Sequence, residues 1–176
     1  MPAAKKINAS ILGNTAIADN KGLANEIYSK SRFGEIKDNK IQYMLVEALY
    51  LLEKKKLAIK EGKKSMKRDE FIKQSSKKEK NFWERYVVFR DMRDRGYVIK
   101  TALKFGADFR VYDRGVKPGD DHAKWILFPV SESKGLTWHS FSAMNRVAHS
   151  TRKNLLVGIV DSESDVTYYI ITWTKP

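Results

Sequence analysis

The chain has no cysteine among its 176 residues. That excludes disulfides, thiolate zinc sites, iron–sulfur clusters and a cysteine nucleophile, so any chemistry must come from other side chains. Histidine is scarce, with only His122, His139 and His149. No apolar run approaches the roughly 18 residues that a membrane span requires. The opening "MPAAKKINAS" lacks the apolar stretch of a secretory signal, so a soluble, cytoplasmic protein is predicted. Internal repeats and low-complexity tracts are missing too. Acidic residues are outnumbered: 34 Lys and Arg against 21 Asp and Glu leave a net charge of +13. Such a surplus favours a polyanionic partner such as nucleic acid.

What is present is enough to fold. Hydrophobic residues make up 42% of the chain, with eight Phe, eight Tyr and four Trp, which suffices for one core or two small ones. The charge is uneven: residues 1–80 carry 19 basic and 10 acidic side chains, residues 81–176 carry 15 and 11. Between Lys54 and Lys80 there are 12 basic residues against four acidic ones, a pattern equally expected of a solvated linker or helix surface.

Along the first 40 residues, "ILGNTAIAD" and "KSRFGEI" mix short apolar patches with Gly and Asn, as in a small β-rich unit with tight turns. From Ile41 onward, Leu45, Ala48, Leu49 and Leu52 follow helical spacing. "YMLVEALYLLEKKK" therefore reads as an amphipathic helix with lysines in its last turn, closing an N-terminal domain. The basic "EGKKSMKRDEFIKQSSKKEK" then begins a connector. Phe82, Tyr86 and Phe89 repeat at helical spacing up to Gly96, where a helix C-terminus favours a left-handed residue. Strand-like pieces follow: "YVIKTAL", "DFRVYDRG", "KWILFPV", "GLTWHSF", "LLVGIV" and "VTYYIITW". Phe141, Met144, Val147 and Ala148 set a helical face within "SFSAMNRVAHSTRK". The predicted architecture is an α+β N-terminal domain with its basic connector over 1–80, then an α/β domain over 81–176 with a mixed central sheet flanked by helices.

Tyr112, His122, His149 and Lys153 are the side chains with chemistry to offer, and each has a structural alternative. Tyr112 in "FRVYD" fits a half-buried strand position, His122 a solvated loop, His149 a packed and hydrogen-bonded helix position, and Lys153 a helix-end cation. A metal-nuclease reading pairs Asp108 or Asp113 with Glu132 and Lys134 of "PVSESKG" around Mg²⁺. That acid-x-lysine pair falls in a turn, however, and three adjacent residues of one loop, such as Asp120, Asp121 and His122, seldom converge on one ion.

"DFRVYDRG", "HAKWILFPV" and "RVAHSTRKNLLVGIVD" with "VTYYIITW", in that order, resemble the catalytic domain of the archaeal tRNA-splicing endonucleases. His122 follows Tyr112 by ten residues, and Lys153 follows His122 by thirty-one. "MLVEALYLLEKKKL" is similar to the helix of that family's N-terminal domain, so the resemblance spans nearly the whole chain. It implies excision of introns from precursor tRNA at bulge–helix–bulge sites, with no metal and no other cofactor. The implied reaction is attack of a ribose 2′-hydroxyl on the adjacent phosphate, leaving a 2′,3′-cyclic phosphate and a 5′-hydroxyl.

In that scheme Tyr112 is the base, His122 the acid and Lys153 the cation facing the phosphorane. A phenol of ordinary pKa is ionised in roughly one molecule in a thousand at pH 7, so Tyr112 serves either as base or as a group that orients the 2′-hydroxyl. The resemblance also assigns Arg146 to gripping a flipped bulge base. Trp173 either stacks on a base or on Arg146, or packs in a terminal strand. Asp161, Glu163 and Asp165 correspond to an acidic loop that inserts into a neighbouring subunit, and the last strand to a tail-to-tail contact. On its own that loop reads as a charged hairpin turn; a chain this short with one catalytic set is similar to the family's homotetrameric type, the alternative being a heterotetramer with a structural subunit. The competing readings are a non-catalytic structural or RNA-binding subunit of the same family and a Mg²⁺-dependent nuclease.

Overall fold

The computed structural model describes residues 5–62 and 64–174. Residues 1–4 of the opening segment, Lys63 of the basic stretch and Lys175 of the tail lie outside them. The chain divides between Tyr86 and Val87 into two compact units.

The first unit is built on a six-stranded sheet of order β3-β4-β2-β1-β5-β6, with strands β1 (Ile7–Leu12), β2 (Thr15–Asp19), β3 (Glu35–Lys37), β4 (Lys40–Met44), β5 (Leu57–Glu61) and β6 (Lys64–Ser65). Only β1 and β5 pair in parallel. Helix α1 (Leu23–Ser31) follows β2, and helix α2 (Leu45–Glu53) joins β4 to β5. The predicted helix opens at Tyr43, and α2 starts two residues later, at Leu45. Ile41 and Tyr43 are fully buried at period two, and β4 pairs with β2 along its whole length. Ile41 fits both periods, and the ladder decides between them. The helix also ends at Glu53, so Lys54, Lys55 and Lys56 lie beyond it rather than in its last turn.

Nor does α2 close the unit. "LAIKE" becomes β5, and the predicted connector folds into the β5–β6 hairpin and helix α3 (Arg68–Lys78), anchored by Phe71, fully buried, and Ser75. One buried aromatic, Phe71, and one buried serine a turn later hold a helix that composition alone reads as solvated.

The second unit contains a five-stranded mixed sheet of order β11-β10-β9-β8-β7: β7 (Val98–Thr101), β8 (Phe109–Tyr112), β9 (Trp125–Ser131), β10 (Asn154–Val160) and β11 (Val166–Ile171). β9 and β10 run parallel, and every other pair is antiparallel. Helix α4 (Phe82–Asp94) runs through the division between the units, and helix α5 (Trp138–Ser150) provides the β9-to-β10 crossover. Gly96, at φ 90°, ends α4 as predicted: its N–H reaches the Arg93 carbonyl, and the Tyr97 N–H reaches that of Met92.

The helices lie on opposite faces of the sheet. Ile126, Phe128, Leu155 and Val157 pack against Ala148, Met144 and Val147 of α5. On the other face, Phe89 of α4 meets Phe109, and Val88 meets the strip at Gly158. Burial on both faces explains why "WILFPV" and "LLVGIV" read as unbroken apolar runs. The predicted strand "GLTWHSF" is instead the entry to α5, whose Thr137 hydroxyl caps the helix by accepting the Ser140 N–H at 3.2 Å. Among the described residues, no helix is long and apolar enough to cross a membrane.

Candidate active site

Alternation along β8 turns Phe109 and Val111 toward α4, and Arg110 and Tyr112 toward α5, because Arg110 pairs with Ile126 of the α5-side core. Tyr112 is 4% exposed, and the Arg110 guanidinium carbon stands 5.9 Å from its ring centroid. Cation and ring attract in this arrangement. The strand stops at Tyr112, and residues 113–124 return the chain to the start of β9.

The ends of this loop are tied together. Lys124 Nζ lies 2.8 Å from Asp113 Oδ2, and the Arg114 N–H donates to Oδ1 at 3.0 Å. The Lys124 hydrogen bond, followed by that backbone donor, holds the Asp113 carboxyl below the usual carboxylate range. His122 lies in the same loop, exposed, with its backbone N–H donating to the Asp121 carboxylate; its neighbour Ala123 is buried and anchors the segment.

Lys153 does not end a helix as a solvated cation. α5 stops at Ser150, and Arg152 turns left-handed at φ 53°. The N–H groups of Arg152 and Lys153 satisfy the carbonyls of His149 and Ala148. Lys153 is half-buried, and its ammonium donates to the Thr151 carbonyl at 3.0 Å. β10 begins at the next residue.

Lys124 joins the parts. Its N–H donates to Val111 of β8, and its carbonyl accepts from Asn154 of β10. Tyr112 at the end of β8, the His122 loop entering β9, and Lys153 at the start of β10 therefore share one end of the sheet. Two strand spacings, about 10 Å, separate the backbones of β8 and β10. No hydrogen bond links the three side chains among the described residues. Asp108 and Glu132 sit at the far end of β8 and β9, where Glu132 accepts the Ser162 N–H at 2.9 Å. The acid-x-lysine pair and Asp113 are thus separated by the length of β9, roughly 20 Å. Among the described residues, no group of three or more His, Asp or Glu is arranged to hold a metal ion.

Between α5 and the end of β11 runs a groove of two compartments, about 760 and 740 Å³. Lys153 and Arg152 line the first and Arg146 the second, while His149 and Trp173 line both. Tyr112 and His122 do not line it. Arg146 is exposed, and Trp173 is 66% exposed beyond the last strand, not packed within it. His149 is exposed as well, against the expectation of a packed, hydrogen-bonded position. The apolar face of α5 is carried by Met144, Val147 and Ala148, which leaves residue 149 on the groove side.

The acidic loop between β10 and β11 is organised by Asp161, whose carboxylate accepts the N–H groups of Glu163 and Asp165. The Glu163 and Asp165 side chains are exposed. β11 is an edge strand, with Tyr169 and Ile170 exposed.

Sequence reasoning passed over Arg110 and the Asp113–Lys124 pair. Period two in "FRVY" puts Arg110 on the Tyr112 side, and opposite charges bracketing a twelve-residue loop are a closure signal.

Comparison with known proteins places both halves of the chain. Residues 7–72 match the family described as "tRNA intron endonuclease, N-terminal domain", and residues 82–168 match "tRNA intron endonuclease, catalytic C-terminal domain". The tRNA-splicing endonuclease of Thermococcus onnurineus is 38% identical over 169 residues, covering 96% of this chain and 97% of the relative. That of Methanothermobacter thermautotrophicus is 38% identical, covering 88% of this chain and 89% of the relative. That of Nanoarchaeum equitans is 44% identical over 138 residues, covering 75% and 88%. With both domains matched in order and identities of this size over most of the length, the chain belongs to the tRNA intron endonuclease family.

Proposed function

We propose that this chain is a catalytic subunit that excises introns from precursor tRNA at bulge–helix–bulge sites by metal-independent attack of a ribose 2′-hydroxyl. The single observation that carries the reading is topological: the strand ending in Tyr112, the loop bearing His122 and the turn bearing Lys153 meet at one end of the sheet. A base, an acid and a cation are what the reaction requires. Tyr112 takes the proton from the 2′-oxygen as the bond from that oxygen to phosphorus forms. Lys153 faces the negative charge that builds on the non-bridging oxygens. The bond from phosphorus to the 5′-oxygen breaks, and His122 protonates the departing oxygen. The products are a 2′,3′-cyclic phosphate and a 5′-hydroxyl, with every atom and proton accounted for. Arg146 and Trp173 grip an unpaired base in the groove.

Self-association completes this reading. The outer edge of β11 carries exposed Tyr169 and Ile170, which a second subunit would cover. Glu163 and Asp165 offer their charges to a basic surface of a neighbour, in a homotetramer or with a structural partner.

The test is incubation of the purified chain with an intron-containing precursor tRNA in EDTA, followed by end-group analysis. Cyclic phosphate and 5′-hydroxyl ends are expected, and deoxyribose at the cleaved positions should stop cleavage while leaving binding. Cleavage of the deoxy substrate, or activity that requires Mg²⁺, would sink the mechanism. Binding without cleavage would favour a non-catalytic subunit.

A further inference from the structure

Trp173 follows the end of β11, where no ladder holds the backbone, and 66% of it is exposed. Among the described residues, its only ring contact is with His149: centroids 5.4 Å apart and planes inclined at 62°. The His149 imidazole has no hydrogen bond or ion pair among the described residues. It lies one turn from Arg146 on α5, so the two side chains are neighbours on the groove side. His149 and Trp173 line both compartments of the groove, the one that reaches Lys153 and the one that reaches Arg146.

We infer that His149 is a positioning residue for RNA binding: its ring braces Trp173 edge-on, leaving the indole face free to stack on an unpaired base beside Arg146. The inference rests on the proposed base-gripping role of Trp173 and adds the group that fixes the indole plane. An exposed tryptophan beyond a strand end samples several rotamers, and ordering it on binding weakens affinity. An edge contact from a ring rooted in a helix removes that disorder before RNA arrives. Aromatic pairs prefer this tilted arrangement. Because the contact is made by a ring edge and not by a charge, phenylalanine should replace histidine here, and alanine should not.

The probe is a bulge–helix–bulge RNA with deoxyribose at the cleaved positions for equilibrium binding, and its all-ribose form for single-turnover cleavage. His149→Ala should weaken binding about 2- to 10-fold, the range of one aromatic pair, with cleavage at saturating RNA within about threefold of wild type. His149→Phe should restore the affinity. Three results would overturn the inference: unchanged affinity in His149→Ala, His149→Phe no better than His149→Ala, or a fall in saturated cleavage with affinity intact, which would make the imidazole a participant in chemistry. Trp173→Ala separates the two levels. If it binds as wild type, the base-gripping role itself fails; if it binds weakly while His149→Ala does not, only the bracing role fails.

Discussion

Glu47 is a carboxylate with 1% exposure, and its oxygens accept the N–H groups of Gly34 and Met44, each at 3.0 Å. A buried charge is tolerated only when its acceptors are satisfied, and here they fix the entry to α2 and the turn before β3 together. Glu47→Ala should therefore cost about 2–3 kcal/mol in urea unfolding, because two buried donors lose a charged partner. Tyr43 is the opposite case: its hydroxyl is buried without a partner among the described residues. Removing it in Tyr43→Phe should leave stability unchanged or raise it by up to about 1 kcal/mol. At the site, Lys153→Ala should lower single-turnover cleavage by about 10²- to 10³-fold, the loss typical of one group facing transition-state charge. From its own residues Lys153 read as a helix-end cation, and only the family resemblance set it in order after Tyr112 and His122. The turn that carries it was not legible, because a left-handed Arg152 has no signature in "STRKN".

At the scale of elements, the boundary errors share one cause. Tyr43 and Met44 opened the predicted helix, yet backbone pairing with β2 made them strand residues; "GLTWHSF" contains strand formers, yet the Thr137 cap made it a helix start. Local preference is worth tenths of a kcal/mol per residue, and a ladder or a cap outweighs it. Close packing of α4 on the sheet is another feature that pattern could not supply. A Cβ added at Gly158 would lie 3.2 Å from both the Tyr168 ring and Val88. Gly158→Ala should destabilise the protein by about 1–3 kcal/mol, and Val88→Ala in the same chain should recover part of the loss in a double-mutant cycle. If the two effects simply add, the contact is not the cause.

At the scale of the whole molecule, titration and charge set the behaviour in solution. Burial, then the adjacent Asp91 carboxylate that accepts its hydrogen bond at 2.9 Å, pushes the Tyr168 phenol well above its usual range; burial, with Glu47 nearby, does the same to Tyr43. Each folded phenol keeps its proton at pH values where the unfolded one has lost it. Unfolding then releases protons, so stability should hold below about pH 10 and fall above it, by up to about 1.4 kcal/mol per pH unit for each phenol. Tyr168→Phe should flatten that alkaline limb in thermal melts recorded across pH. The net charge of +13 also predicts that precursor-tRNA affinity falls with salt, with a slope in log K of about 0.7–0.9 per phosphate contacted. A binding constant indifferent to salt would exclude a phosphate-dominated interface. By itself, the sequence determined the excess of basic charge, the two-part α+β and α/β architecture and, through its lack of cysteine, the residue types left for chemistry, because these follow from composition and periodicity. Only the tertiary structure decided that Tyr112, the His122 loop and Lys153 share one end of a sheet, and that His149 meets Trp173. Residues ten or more positions apart become neighbours through strand order and helix facing, which are set by burial of the core and not written in any local stretch.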